Sequence, residues 1–304
     1  MVIKGYDVGL VLRKTLRETW ADNVLGLSAQ AAYSFFFSLF PMLLFLTPLF
    51  GLIGDERELV TKILVRLELT IPAEAYALLA SVVRDVVLGE NAPGLVSVGL
   101  VLAAYSASAV LDTVAGALNQ AFDAADPRPF WKKRLISMGF AAIAGVVIAI
   151  ATIVMVAGHS AVDFVANFAG MSYDTARVWG ALQYPLALAL LIGCLWLLFY
   201  FLPYADQKKS HVLVGAVFTV ALWIIVTLLF RLYVANFGSY NKTYGTIGGV
   251  IILLAWMYWT MVALLTGGEL NAQLRAGVGR VDAPQTRLPS DAIRDAAIAE
   301  SARF

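Results

Sequence analysis

Charge is scarce in this chain. Of its 304 residues only 14% are Asp, Glu, Lys or Arg, about half the share found in soluble domains. So few charges cannot cover the surface of a soluble protein this size, which excludes most cytosolic enzymes. Histidine and cysteine are scarcer still, with His159, His211 and Cys194 as the whole supply. One cysteine forms no internal disulfide, and these three residues fall short of most zinc sites. Nor is there an excess of either sign: 22 Lys and Arg against 21 Asp and Glu leave +1, so no basic field recruits nucleic acid. No G-x-x-x-x-G-K-[ST] loop is present to hold nucleotide phosphates. No cluster of His and Asp offers two metal sites for phosphodiester cleavage. Gly158-His-Ser-Ala-Val162 comes near a nucleophile elbow, but valine stands at the second glycine and an apolar helix, not a strand, precedes it. We therefore expect no cofactor, no metal and no catalytic residues.

What the chain has is apolar length. Hydrophobic residues make up 60% and mean hydropathy is +0.78. About 20 apolar residues cross a hydrocarbon core, and six runs qualify: 31–53, 95–118, 135–156, 179–202, 212–233 and 246–265. The expected fold is an all-α polytopic membrane protein with six transmembrane helices. It would form one transmembrane domain over 1–275, followed by a mobile cytoplasmic tail over 276–304, where Pro284 and Pro289 fall. The first run is too long and begins too late for a cleaved signal peptide.

Orientation follows from the cations. Fifteen of the 22 fall before the first span, in the second-to-third and fourth-to-fifth connections, and in the tail. Excess Lys and Arg stay on the cytoplasmic side, so both termini are expected there, and an even number of spans agrees. In the N-terminal stretch, Val8, Leu12, Leu16 and Trp20 recur at helical spacing beside Arg13, Lys14 and Arg17. That pattern predicts an amphipathic helix on the inner membrane surface, or one packed against the cytoplasmic end of the bundle. The external connection has apolar stripes at Leu59, Ile63 and Leu67 and at Tyr76, Leu79 and Val83. They predict two amphipathic helices within 55–90 that cap the outer face.

Polar groups inside the spans are the candidate functional residues, since a charge there is costly. Asp112 lies in the second span, with Asn119 beyond it; Glu269 and Asn271 lie at the cytoplasmic end of the sixth. Two readings stand side by side: an ion- or headgroup-binding pocket open to the cytoplasm, or a salt-bridge cluster fixing helix ends. Arg231 lies near the outer end of the fifth span, too far from Asp112 in depth to pair with it. The first span holds Tyr33 and Ser34, and its Pro41 and Pro48 each remove a helical hydrogen bond. The resulting kink would line a cavity or serve plain packing. Tyr244 and Gly245, ahead of the sixth span, read as a tightly packed turn or as interfacial aromatics.

Several of these pieces, in order, carry a family resemblance. They are the stretch 31–41 ending in Ser38-Leu-Phe-Pro41, Leu111-Asp112 with Leu118-Asn119, and the basic loop from Arg128 to Arg134. Phe201-Leu-Pro203 with Gly215-Ala216, Tyr240 to Gly245, Trp256-x-Tyr258 and Leu265-x-Gly-Gly-Glu269 complete the set. From about residue 23 to 274 the chain resembles the YihY/BrkB family of bacterial inner-membrane proteins. The resemblance implies six helices in the inner membrane but does not fix an activity. Members have carried a ribonuclease label, which these residues do not support, and a serum-resistance label. Others are associated with export of lipid-A-type precursors. The leading expectation is a transporter or flippase-like protein moving a lipid or small amphiphilic solute. The alternative is a structural or assembly protein of the envelope. Membrane lipids are the expected partners, with a second copy or an envelope protein as further options.

Overall fold

The computed structural model describes residues 2–3, 6–53, 96–147, 150, 175–236 and 246–279, and isolated positions between 61 and 81. The longer helices among the described residues run in chain order: α1 (Val8–Ala21), α2 (Val24–Ile53), α3 (Val96–Ala121), α4 (130–147), α5 (Thr175–Phe201), α6 (Lys209–Asn236) and α7 (Thr246–Arg275). α2 to α7 fall on the six apolar runs, so the protein is an all-α polytopic membrane protein. α5, α6 and α7 each contain a stretch long and apolar enough to cross a bilayer. α7 continues about ten residues beyond its expected end, which places Glu269 and Asn271 inside a helix rather than at its mouth. The backbone of α2 stays helical through positions 41 and 48, and α5 carries Pro185 in its interior. The external segment 55–90 lies mostly outside the described residues. At Leu64 and Ala80 within it, helical residues are buried.

The one sheet among the described residues is an antiparallel pair, β1 (Val2–Ile3) with β2 (Tyr6–Asp7). Asp7 then caps α1, its carboxylate accepting from the Gly9 amide at 3.0 Å. The break between α1 and α2 falls at Asp22–Asn23, and Asn23 takes a left-handed φ of 52°, which asparagine tolerates better than most residues. The Asn23 carbonyl accepts from Leu27 and starts α2. At the far end of the chain, Gly277 and Gly279 adopt φ near 75° and 78° and terminate α7. The Gly279 carbonyl accepts from the Asp7 amide at 2.7 Å, joining the N-terminal strand to the end of the last helix.

Helices in lipid gain little from apolar burial against each other, so close packing of small residues holds them together. The core follows that rule. Ala31 and Ala32 of α2, Ala117 of α3 and Ala216 of α6 are buried with Val114, Leu118, Phe199, Leu253 and Met257. α2 packs most extensively on α3, and α7 touches α1, α2, α3 and α6. Leu182, Tyr184, Leu188 and Leu191 of α5 stay exposed, as lipid-facing residues should.

α1 packs against the bundle, the second of the two arrangements its sequence allowed. It docks on α7 through Val11, Thr15 and Thr19, which are buried against Leu270 and Leu274. The threonine hydroxyls donate to carbonyls one turn back, at 2.9 Å, so no polar atom of that face is left unpaired. The apolar stripe Leu12, Leu16 and Trp20 points away from the bundle, and Trp20 is 72% exposed.

Candidate functional site

The sequence offered Asp112 and Glu269 as neighbours at one depth. The structure gives each its own partners. Asp112, on α3, accepts from Arg134 and Ser137 at the start of α4. Arg134 also donates to the Tyr105 carbonyl at 2.8 Å and lies over the Tyr105 ring, 4.0 Å from its centroid. Asp112 is therefore held by an ion pair that fixes α3 to α4, and Arg134 rather than Arg231 is its counter-ion. This is the salt-bridge reading of Asp112.

Asn119 belongs to a second lock about two turns further along α3. Its carbonyl oxygen accepts from the Tyr204 amide at 2.7 Å, and its amide reaches Asp126 at 3.5 Å. Asp126 accepts from the Arg128 backbone, from Nε and from Nη2, and Arg128 passes a further hydrogen bond to the Leu202 carbonyl. Arg128 holds the Asp126 carboxyl below the usual carboxylate range, with smaller help from Lys133. The loop after α3 is thus clamped to the loop after α5.

Glu269 enters a different neighbourhood. It is 1% exposed, on the face of α7 turned to the α1–α2 break, and shares a hydrogen bond with Asp22. A bond between two carboxyls requires one of them to carry a proton. Burial raises the Asp22 carboxyl above its ordinary value; the bond to Glu269 opposes the rise, and the nearby charges of Glu18 and Asp123 add to it. Gln120 donates to the Asp22 carbonyl at 2.9 Å. Glu269 Oε2 finds no hydrogen-bond partner among the described residues. Asn271, also 1% exposed, has neither amide atom paired among them.

Asn271 lies against Gly215 of α6. A Cβ at Gly215 would fall within 2.1 Å of the Asn271 carbonyl oxygen, and one at Gly267 within 1.7 Å of Thr219 Oγ1. The Thr219 hydroxyl is buried and also unpaired, as is that of Ser28 on α2. α6 and α7 thus cross on glycines, with a seam of buried, unpaired polar atoms along the contact. Each such atom costs about 1–3 kcal/mol, a burden that an apolar side chain would avoid.

The remaining sequence candidates separate from this seam. Tyr33 is 61% exposed and packs on Phe37, with ring centroids 4.7 Å apart, so it faces outward rather than into a cavity. Ser34 is half-buried beside it. Tyr244 and Gly245 lie outside the described residues, as do the side chains of Pro41 and Pro48. Sequence reasoning missed Asp22, Thr219 and Asp126. Asp22 carries no signal by itself, since a carboxylate before an apolar run usually faces water. The pair Gly267-Gly268 did carry one, lying directly before a buried acid.

A cavity of about 330 Å³ sits elsewhere, between the N-terminal strand pair, the loop before α6 and the end of α7. It does not reach Asp112 or Glu269.

Comparison with known proteins completes the picture. A family profile described as virulence factor BrkB matches residues 15–288. The ribonuclease-like protein YfkH of Bacillus subtilis is 35% identical over 81% of this chain and 88% of its own length. A UPF0761 membrane protein of Aromatoleum aromaticum is 29% identical over 61% of this chain and 44% of its own. One from Rhodospirillum centenum is 26% identical over 88% of this chain and 58% of its own. No solved structure matches.

Proposed function

This chain belongs to the virulence factor BrkB family, whose relatives include UPF0761 membrane proteins, and from that we propose a transporter or flippase-like protein. Its substrate is a lipid or small amphiphilic solute. It sits in a bacterial inner membrane with both termini in the cytoplasm, as the cation distribution favours. One observation carries the reading: Asn271 and Thr219 are buried where α6 and α7 cross, and Glu269 is buried on the neighbouring face of α7 toward the α1–α2 break, each with polar atoms that find no partner among the described residues. Unpaired polar atoms at membrane depth favour passage of a polar group or ion. The glycines at 215 and 267 give the seam its width. With no nucleotide loop, energy comes from an ion gradient, a partner or downhill flow.

The ribonuclease-like name belongs to the Bacillus relative. The acids that do meet here, Glu18, Asp22, Asp123 and Glu269, form no group of metal-holding geometry among the described residues. We read the chain as not an enzyme.

Reconstitution into liposomes tests the proposal. Proteoliposomes should move a fluorescent phospholipid or a small amphiphile faster than empty vesicles, and Glu269→Gln and Asn271→Leu should slow that movement about tenfold or more. Asp112→Asn should act on stability instead, because Arg134 and Ser137 already occupy its carboxylate. Movement unchanged in Glu269→Gln and Asn271→Leu removes the seam from the mechanism. Absence of any movement in the native protein favours the structural or assembly reading. That reading is supported by the ion-paired state of Asp112 and would be marked by a stoichiometric partner on crosslinking.

A further inference from the structure

The cavity near the N-terminus has a chemistry of its own. Lys208, from the loop before α6, and Arg275, the last residue of α7, line it together with Tyr6, His211, Gln207 and Asp206. Three separate segments therefore deliver cationic or hydrogen-bonding groups to one space. Arg275 does not wave freely. Its Nη1 donates to the Phe122 carbonyl at 3.3 Å and its guanidinium lies 5.6 Å from the Phe122 ring centroid. Tyr6 and His211 meet edge to face, with Oη 3.4 Å from Nε2, and Gln207 is tied to the Phe199 carbonyl at 2.7 Å. Side chains anchored this way lose little freedom when they meet a ligand.

Depth and size narrow the occupant. Arg275 ends one membrane helix and Lys208 immediately precedes another, so the cavity lies at the level of lipid headgroups, on the face that carries most of the cations. The first amide groups of α6 add a partial positive charge there. At about 330 Å³ the space is at the lower limit for ligand pockets. It accommodates a headgroup-sized anion and not an acyl chain. Asp206 limits the positive charge of the site.

We propose that this cavity binds a phosphate ester, with Lys208 and Arg275 as the charged ligands and Tyr6 as a hydroxyl donor. The same phosphate chemistry reaches the cavity either from an anionic phospholipid headgroup or from a soluble phosphate ester. The site is independent of the α6–α7 seam and of whether the protein transports anything.

Titration of the purified full chain in neutral detergent separates the sources. One arm uses glycerol phosphate; the other uses a short-chain phosphatidylglycerol, with the matching phosphate-free diacylglycerol as its blank. Binding is read as a shift in the thermal midpoint against concentration. Lys208→Gln with Arg275→Gln should weaken binding about tenfold or more, given two charge-assisted hydrogen bonds. Arg17→Gln with Lys132→Gln removes the same charge away from the cavity and should leave it unchanged. Asp206→Asn should tighten it. Response to glycerol phosphate assigns a soluble ester, and response to phosphatidylglycerol alone assigns a headgroup. No response to either, or equal weakening in both double variants, overturns the proposal. Circular dichroism of the variants guards against loss of fold.

Discussion

At the scale of single residues, the seam between α6 and α7 is decided by which atoms a methyl group would meet. An alanine at 267 would press its Cβ on Thr219 Oγ1 and, at 3.2 Å, on the Gly215 carbonyl. Thr219 is branched at Cβ and has few rotamers to retreat into. Gly267→Ala should therefore cost about 1–3 kcal/mol, seen as a lower thermal midpoint in detergent, and adding Thr219→Ala should recover much of it. Gly268→Ala meets only the tip of the Leu118 side chain and should cost less. Equal losses in the two alanine variants would show that the crossing tolerates more space than its geometry implies. Asp22 makes a pH statement at the same scale. Its carboxyl is raised by burial, so its contribution to stability is complete below the ordinary carboxylate value, roughly pH 4, and is lost as pH rises through the higher folded value. Asp22→Asn should flatten that decline in a midpoint-versus-pH series, and an unchanged slope would argue against it.

At the scale of elements, two devices hold the ends of the helices. The first is the clamp of Asp126, Arg128 and Asn119, which ties the loop after α3 to the loop after α5. Asp126 is lowered by Arg128, so the sign is opposite to that of Asp22. The clamp's contribution is present above roughly pH 4 and is lost as pH falls through the depressed value. Asp126→Asn should cost about 2 kcal/mol at neutral pH and remove the acid-side decline; a variant that keeps that decline would place its origin elsewhere. The second device is α1, fastened to α7 by its threonine face while Leu12, Leu16 and Trp20 look outward. An environment-sensitive fluorophore on Trp20→Cys, in a Cys194→Ser background, should report an apolar setting in vesicles. Emission typical of water would mean that α1 stands clear of the lipid.

For the molecule as a whole, the architecture was legible because the bilayer imposes one length on every span. Runs of about 20 apolar residues located α2, α3, α5 and α6 closely, and the Lys and Arg excess gave a topology to test. The end of α7 was misplaced because Glu269, Asn271 and Gln273 read as polar exit residues, whereas all three are buried among neighbouring helices. A hydropathy run detects contact with lipid, not burial by protein. The candidate site was legible only in part for a related reason. Asp112 and Glu269 both read as polar groups of the spans, but the residues that decide their roles, Arg134 and Asp22, come from other elements, and sequence spacing does not tell which helices adjoin. Tyr33 failed as a cavity residue because α2 turns it outward.

The tie between the Asp7 amide and the Gly279 carbonyl has a consequence for how the protein is made. α1 leaves the ribosome well before the residues it docks against, Leu270 and Leu274, which are among the last of the bundle to appear. Asp22 likewise waits for Glu269. At about 5–20 residues per second, α1 spends on the order of tens of seconds without its partner helix. Its outward stripe of Leu12, Leu16 and Trp20 gives it a place to rest on the bilayer surface during that interval. Assembly of this end of the bundle is therefore a closing step, completed when α7 arrives at a helix already waiting for it.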